Sequence, residues 1–164
     1  MVSKLEVDTI AHSGGTTGMT IDSSGRAVMP NRPYFSGTKT NQSVSGSTNT
    51  ILIPDTMQNN NGSHYSTSTG KFTAPVSAVY TFGGAFVFAE NQQSYGFLQH
   101  SNSGGSNILQ YYTANQTDNS AAELTRYVFT ATFYMTATDT VCLTIAQFGN
   151  TQNVSCFFTG AMIG

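Results

Sequence analysis

The sequence predicts an all-β protein: a two-sheet antiparallel jelly-roll sandwich preceded by a short N-terminal β arm. Strand-forming residues are abundant, since the 164 residues include 24 Thr, 11 Phe and 8 Tyr, and 16 Gly supply turns. Strand-like segments alternate with turn-forming clusters about every 8–12 residues from Tyr34 onward, which is typical of sandwiches and barrels. No segment has convincing helical periodicity, and no internal repeat is visible.

Residues 1–33 are the first predicted region, an arm of short alternating segments at 5–8, 18–22 and 26–30. Asp22-Ser-Ser-Gly25 is the expected hairpin turn between the last two segments, with Gly25 at positive φ. Because a small ribbon is marginally stable in water, we expect the arm to dock on a partner or to intertwine. The side chains expected to make the docking contacts are the apolar ones, Leu5, Val7, Ile10, Met19, Ile21 and Val28.

Residues 34–164 are the predicted head domain. Its strands are expected at 34–39, 49–53, 63–67, 76–90, 95–100, 108–113, 124–136, 140–148 and 154–163. Segments rich in Asn, Ser and Gly at 58–62, 101–105 and 117–120 are expected to be loops. About nine strands in roughly 130 residues suit a jelly roll.

Three of the predicted strands are apolar on both faces. In 79–88 the even positions are mostly aromatic and several odd positions are Val or Ala. The segments 127–135 and 154–163 likewise have apolar residues at both odd and even positions. A single sandwich has one interior, and a large exposed apolar patch is unusual for a monomer, so we expect copies of the chain to cover the second face. The side chains expected in the core or the subunit interface, with no assignment between the two, are Tyr80, Phe82, Phe86, Tyr127, Phe129, Phe133 and Phe157.

Charge is sparse in this sequence. Only 9% of residues are charged, and six Lys and Arg against eight Asp and Glu give a net charge of −2. So few cations exclude an electrostatic nucleic-acid binder, and no apolar run approaches the roughly 20 residues of a membrane helix. The first eight residues contain no apolar signal-peptide core, so we expect an intracellular product.

No catalytic or cofactor motif is present, and we expect a non-enzymatic protein without cofactor or metal. The two cysteines, Cys142 and Cys156, are expected to be buried free thiols. The histidines lack metal-ligand spacing and are expected at the surface: His12, His64 and His100. Folding could bring together two carboxylates among Asp55, Glu90 and Asp118, but nothing in the sequence favours such a pair.

The segment 60–82 resembles a known family signature. Its aromatic and amide residues fall at the spacings found in the globular heads of complement C1q and the related tumour-necrosis-factor-type jelly rolls: Asn60, Tyr65, Phe72, Tyr80 and Phe82. Ala78 stands where the family has Gly, and Pro54 where it has Phe. Further similarity lies at 33–37 and 157–164. The resemblance covers about 33–164 and implies a jelly roll that assembles as a homotrimer.

The arm resembles the leaders of tailed-bacteriophage virion proteins at 3–10, 19–26 and 30–35. This resemblance implies a homotrimeric capsid decoration (cement) protein, assembled in the host bacterial cytoplasm. Its arm would bind the major capsid protein on the outer surface of the head shell. The alternative is a short tail or head fibre attached to tail or baseplate proteins, whose loops at 91–95 and 111–119 recognise a host surface glycan or receptor.

Overall fold

A computed structural model describes residues 7–45, 49–89, 93–116, 124–148 and 151–163. These residues form strands, turns and loops, without a helix among them. The chain divides into two compact units, Met1–Arg32 and Pro33–Gly164.

The first unit is a three-stranded antiparallel sheet in the order β1-β2-β3, with β1 at Thr9–Ala11, β2 at Thr17–Ile21 and β3 at Ala27–Val28. The predicted turn at 22–25 is present, with Gly25 at a φ of +77°. The Asp22 carboxylate fixes this turn by accepting the N–H groups of Ser24 and Arg26, each at 2.9 Å. The first strand starts at Thr9, later than expected, and Leu5 lies outside the described residues.

The second unit is a sandwich of two antiparallel sheets. Its five-stranded sheet has the order β12-β9-β14-β4-β6, and its six-stranded sheet has the order β11-β10-β13-β8-β7 with β5 paired to β13. The strands are β4 Tyr34–Val44, β5 Thr50–Leu52, β6 Thr56–Asn61, β7 Tyr65–Ser66, β8 Lys71–Thr73, β9 Ala78–Ala89, β10 Gln93–Ser101, β11 Asn107–Gln116, β12 Leu124–Met135, β13 Thr140–Phe148 and β14 Gln152–Met162. The all-β jelly-roll prediction is confirmed.

Two strands were not expected. Most of the predicted loop at 58–62 belongs to β6, and β8 was missed because it is only three residues long. The Asn-rich β6 has poor intrinsic strand propensity, and its pairing with β4 overrides that preference. Asn60 also uses its side-chain amide to bond both the backbone N–H and the backbone carbonyl of Tyr65, which connects the end of β6 to β7.

The core between the sheets is aromatic. Its largest fully buried side chains include Phe35, Phe72, Tyr80, Phe82, Phe86 and Phe158. Glycines on the facing strands make room for these rings: a Cβ on Gly96 would lie 1.9 Å from the Phe86 ring, and one on Gly160 would lie 2.6 Å from the rings of Phe35 and Phe82. The large inward aromatic side chains described above are therefore packed inside one subunit.

Candidate functional site

The outward face of the five-stranded sheet carries large apolar side chains that the subunit leaves uncovered. Val128 is 80% exposed and Tyr134 61% exposed on β12, Phe157 is 41% exposed on β14, and Tyr34 is 43% exposed at the start of β4. Twelve outward residues of β4, β9, β12 and β14 are called the outer face. They are Tyr34, Val79, Thr81, Gly83, Ala85, Val128, Thr130, Thr132, Tyr134, Phe157, Thr159 and Ala161.

Strand register joins these side chains into rows across the sheet. Ala85 pairs with Val128 on one side and with Phe157 on the other, which gives a continuous apolar row. Towards the other end of the strands, Tyr134 pairs with Val79, and Ala161 pairs with Tyr34. Paired residues point to the same side of a sheet, so both apolar groups face outward together.

Between these groups lies a shallow hollow of about 240 Å³, lined by Thr81, Gly83, Thr130 and Thr159 among others. Two of its hydroxyls are used within the sheet, because Thr132 Oγ1 donates to Thr81 Oγ1 at 3.0 Å and Thr159 Oγ1 donates to the Phe35 carbonyl at 2.8 Å. These hydroxyls already have partners, so covering this surface would not strip them of their hydrogen bonds.

Gly83 and Gly84 are neighbours in β9 with opposite surroundings. A Cβ on Gly84 would lie 2.3 Å from the Phe157 carbonyl oxygen, so packing within the subunit requires glycine there. A Cβ on Gly83 would meet nothing closer than 3.6 Å. The subunit itself does not need a glycine at position 83, and an unexplained strand glycine often marks the close approach of another molecule.

The seven predicted core or interface side chains fall largely on the inward side. Tyr80, Phe82 and Phe86 are fully buried, Phe129 is buried and Phe133 packs against the core, while Phe157 points outward. The side chain of Tyr127 lies outside the described residues. The predicted list did not separate core from interface, and it did not include Val128, Tyr134 and Tyr34, whose side chains the structure leaves exposed on the outer face. The available signal was the odd–even alternation, which puts Val128 and Tyr134 on the face opposite the buried aromatics.

The apolar residues predicted to dock the arm do not share one face of its sheet. Ile10 pairs with Met19, and Ile21 stands two residues further on the same side. Val28 pairs with Thr20 and so points to the opposite side. Val7 precedes β1 and is exposed. The docking role of these residues stays a prediction.

His100 corrects the expectation of three surface histidines. It is 2% exposed, and its Nε2 lies 3.0 Å from Oδ2 of the equally buried Asp139. That carboxylate oxygen also accepts the Thr136 N–H at 3.0 Å, and the His100 ring stacks on Phe133 at 4.9 Å. Sequence spacing could not reveal the pair because 39 residues separate its members. His12 is exposed and His64 half-buried, as expected for surface histidines.

The remaining polar groups give no catalytic arrangement among the described residues. Both cysteines are free and buried, as predicted, and burial raises the pKa of Cys142 and raises the pKa of Cys156 to about 12. Lys39 donates a hydrogen bond to Asp55, which lowers the pKa of that carboxyl.

Glu90 and Asp118 lie outside the described residues, which contain no group of three metal-ligating side chains. No helix that could span a membrane occurs in the described part of the chain.

Two stacked antiparallel sheets with this strand order define a jelly-roll domain, and one of its sheets carries exposed apolar side chains on the outward face. The family model of the C1q domain matches residues 34–163, and the chain belongs to the C1q domain family. The resemblance seen at 60–82 is thereby confirmed. No curated protein sequence matches the chain significantly.

Solved structures show the same fold at low sequence identity. The globular domain of the zebrafish complement 1qA protein is 16% identical with a TM-score of 0.64, covering 81% of this chain and 98% of that one. The PRD1 vertex protein P5 is 11% identical with a TM-score of 0.58, covering 84% and 100%. The Eiger tumour necrosis factor of S. frugiperda is 12% identical with a TM-score of 0.57, covering 81% and 94%.

Proposed function

We propose that the head assembles as a homotrimer through its outer face. The uncovered apolar rows of that face carry this proposal. More than half of the Val128 side chain and of the Tyr134 side chain is exposed to water in one subunit. Burying apolar surface between subunits stabilises their association by about 25 cal/mol per Å². Membership of the C1q family supports a trimer, because domains of this class form homotrimers.

Charge distribution favours a copy of the chain as the partner of this face. The twelve residues of the outer face contain no charged residue; the charged residue Arg126 of β12 pairs with Val87, in the row next to that of Ala85 and Val128. Around a threefold axis each side chain near the axis meets its own copies, so any charge there would face like charge. An uncharged face satisfies this condition, and an unrelated charged surface would find nothing on it to pair with.

The biological role that we propose is that of a virion structural protein: a trimeric capsid decoration (cement) protein of a tailed phage, on the capsid surface. The arm residues Leu5, Val7, Ile10, Met19, Ile21 and Val28 would bind the major capsid protein, and three arms on one trimer would engage together and gain effective concentration. The resemblance of the arm to phage virion leaders supports this role. So does the viral vertex protein that shares the fold over its whole length. The protein would act mechanically, without catalysis.

Two measurements test this proposal. Sedimentation over a range of concentrations should give three times the chain mass of 17.5 kDa, and a well-folded monomer at high concentration would refute the trimer. Labelling of purified particles should show hundreds of copies spread over the shell, and removing them should weaken the shell against heat.

The copy number also separates the decoration role from the second candidate. A handful of copies at the tail or one vertex, with adsorption lost and shell strength kept after removal, would refute decoration and support the fibre. Of the two loops expected to bind a glycan, 93–95 belong to β10 and 111–116 to β11, which corrects the loop prediction there, and 91–92 and 117–119 lie outside the described residues.

A further inference from the structure

The three-stranded sheet of the arm brings four apolar residues together on one of its faces. Strand pairing places Ile10 beside Met19 and Ile21 beside Ala27, and Met19 and Ile21 are two residues apart on β2. These four residues are called the arm's apolar face. The opposite face presents Thr9, Thr20 and Val28, which pair across the three strands.

A sheet of this size needs a cover for such a face. Ile10 is 50% exposed, and Met19 and Ile21 are only partly buried within the chain. Domains below about 40 residues rarely fold on their own core, and the arm unit ends at Arg32. A partner that buries the arm's apolar face would supply the missing stabilisation.

We propose that the arm's apolar face packs against the same face of the other two arms, so that three arms form a three-sided β bundle. This inference rests on the proposed trimer of heads. Residues 29–33 connect β3 to β4 and can span at most about 18 Å. β4 begins at Tyr34, whose side chain belongs to the outer face. In the proposed trimer each arm is therefore joined by a short linker to a residue of the outer face.

Tethering makes the other arms the nearest partner. Short linkers hold attached segments at millimolar effective concentration, so each arm meets two others before it meets any separate molecule. None of the four residues of the arm's apolar face is charged; Asp8, whose backbone carbonyl accepts the Ile21 N–H at 2.9 Å, precedes β1. The charged groups of the β2–β3 turn satisfy each other instead, with Arg26 Nε 2.7 Å from Asp22 Oδ2.

This arrangement assigns roles to four of the six predicted docking residues, and for three of them it replaces contact with the major capsid protein by contact between arms. Ile10, Met19 and Ile21 hold the arms together, whereas Val28, beside Thr20 on the opposite face, stays outward and available to the shell. The bundle would present three such outward faces as one rigid docking element.

Site-directed cross-linking on the full-length protein tests the inference. Ile10→Cys and Thr9→Cys are adjacent in β1 and point to opposite sides, so they form a matched pair. A short bismaleimide should join subunits through Ile10→Cys at least several-fold more efficiently than through Thr9→Cys. The unsubstituted protein controls for Cys142 and Cys156, which are buried and should not react.

Limited proteolysis gives a second reading that needs no new thiol. Ile21→Asp should raise the rate of trypsin cleavage after Arg26 about tenfold, whereas the matched Thr20→Asp should leave it near that of the unsubstituted protein.

The outcomes separate the two proposals. Equal or absent cross-linking at both positions in a protein that sediments as a trimer would overturn the arm bundle and leave the trimer of heads intact. If the arm becomes resistant to trypsin only after phage particles are added, its apolar face binds the shell, and this result would also overturn the bundle. A monomeric protein would remove the proposed trimer and the bundle with it.

Discussion

Val128→Asp is the substitution that most directly tests the outer face. Val128 is 80% exposed in one subunit, and full burial of a valine contributes about 1.5 kcal/mol at the low end of the range. Its burial in the trimer would then contribute about 1.2 kcal/mol per subunit, or about 3.6 kcal/mol for three. Losing this contribution lowers the trimer association constant by a few hundred-fold. The aspartate adds a desolvation cost and repulsion between copies, so this figure is a minimum.

The assay is sedimentation equilibrium over a wide concentration range, with thermal unfolding followed by circular dichroism. Val76→Asp is the matched control, because Val76 is 48% exposed but lies in the loop before β9 and is not one of the outer-face residues. Val128→Asp should shift the protein towards folded monomer, and Val76→Asp should not. If both variants assemble as the unsubstituted protein does, the outer face is not the subunit interface.

Three further predictions follow from individual residues. Gly83→Val should leave the folded head intact and weaken assembly, whereas Gly84→Val should lower the free energy of unfolding by more than about 2 kcal/mol because its side chain has no room. Urea titration measures the stability of each variant and sedimentation of the same samples measures its assembly. The reverse pattern would contradict the packing described. His100→Ala should cost about 3 kcal/mol in urea unfolding because it empties a buried position beside Phe133 and removes one hydrogen bond of the buried Asp139 carboxylate, and a loss below about 0.5 kcal/mol would show that the pair is not structural. The Cys156 thiol, whose pKa is raised to about 12 by burial, should stay protonated and unreactive towards iodoacetamide at pH 8 and react once the protein is unfolded in urea; rapid labelling of the native protein would contradict its burial.

Much of the fold could be predicted because alternation and turn chemistry are local signals. The long strands β9, β12 and β14 were found near their observed positions, and the Asp22–Gly25 turn was predicted from its residues alone. The strand β6 could not be found in this way. Its Asn-rich sequence indicates a loop, and only the hydrogen bonds offered by β4 make it a strand.

The candidate site was predicted in principle but not in detail. Two-sided apolarity predicted a second covered surface, while the residue list, which did not divide core from interface, favoured the aromatic side chains. Aromatic residues are the largest and therefore fill the interior of the sandwich, as Tyr80 and Phe82 do. The residues left for the outer face are those of opposite parity, such as Val128 and Tyr134.

The sequence by itself determined that this chain is a weakly charged β sandwich with more apolar strand surface than one interior can hold, because residue type and period-two alternation are written along each strand. Only the tertiary structure decided which face is inside, that Gly83 opens outward while Gly84 is packed, and that His100 meets Asp139. Those facts depend on which strands lie side by side and in what register, and residues far apart in sequence are brought together only by that pairing.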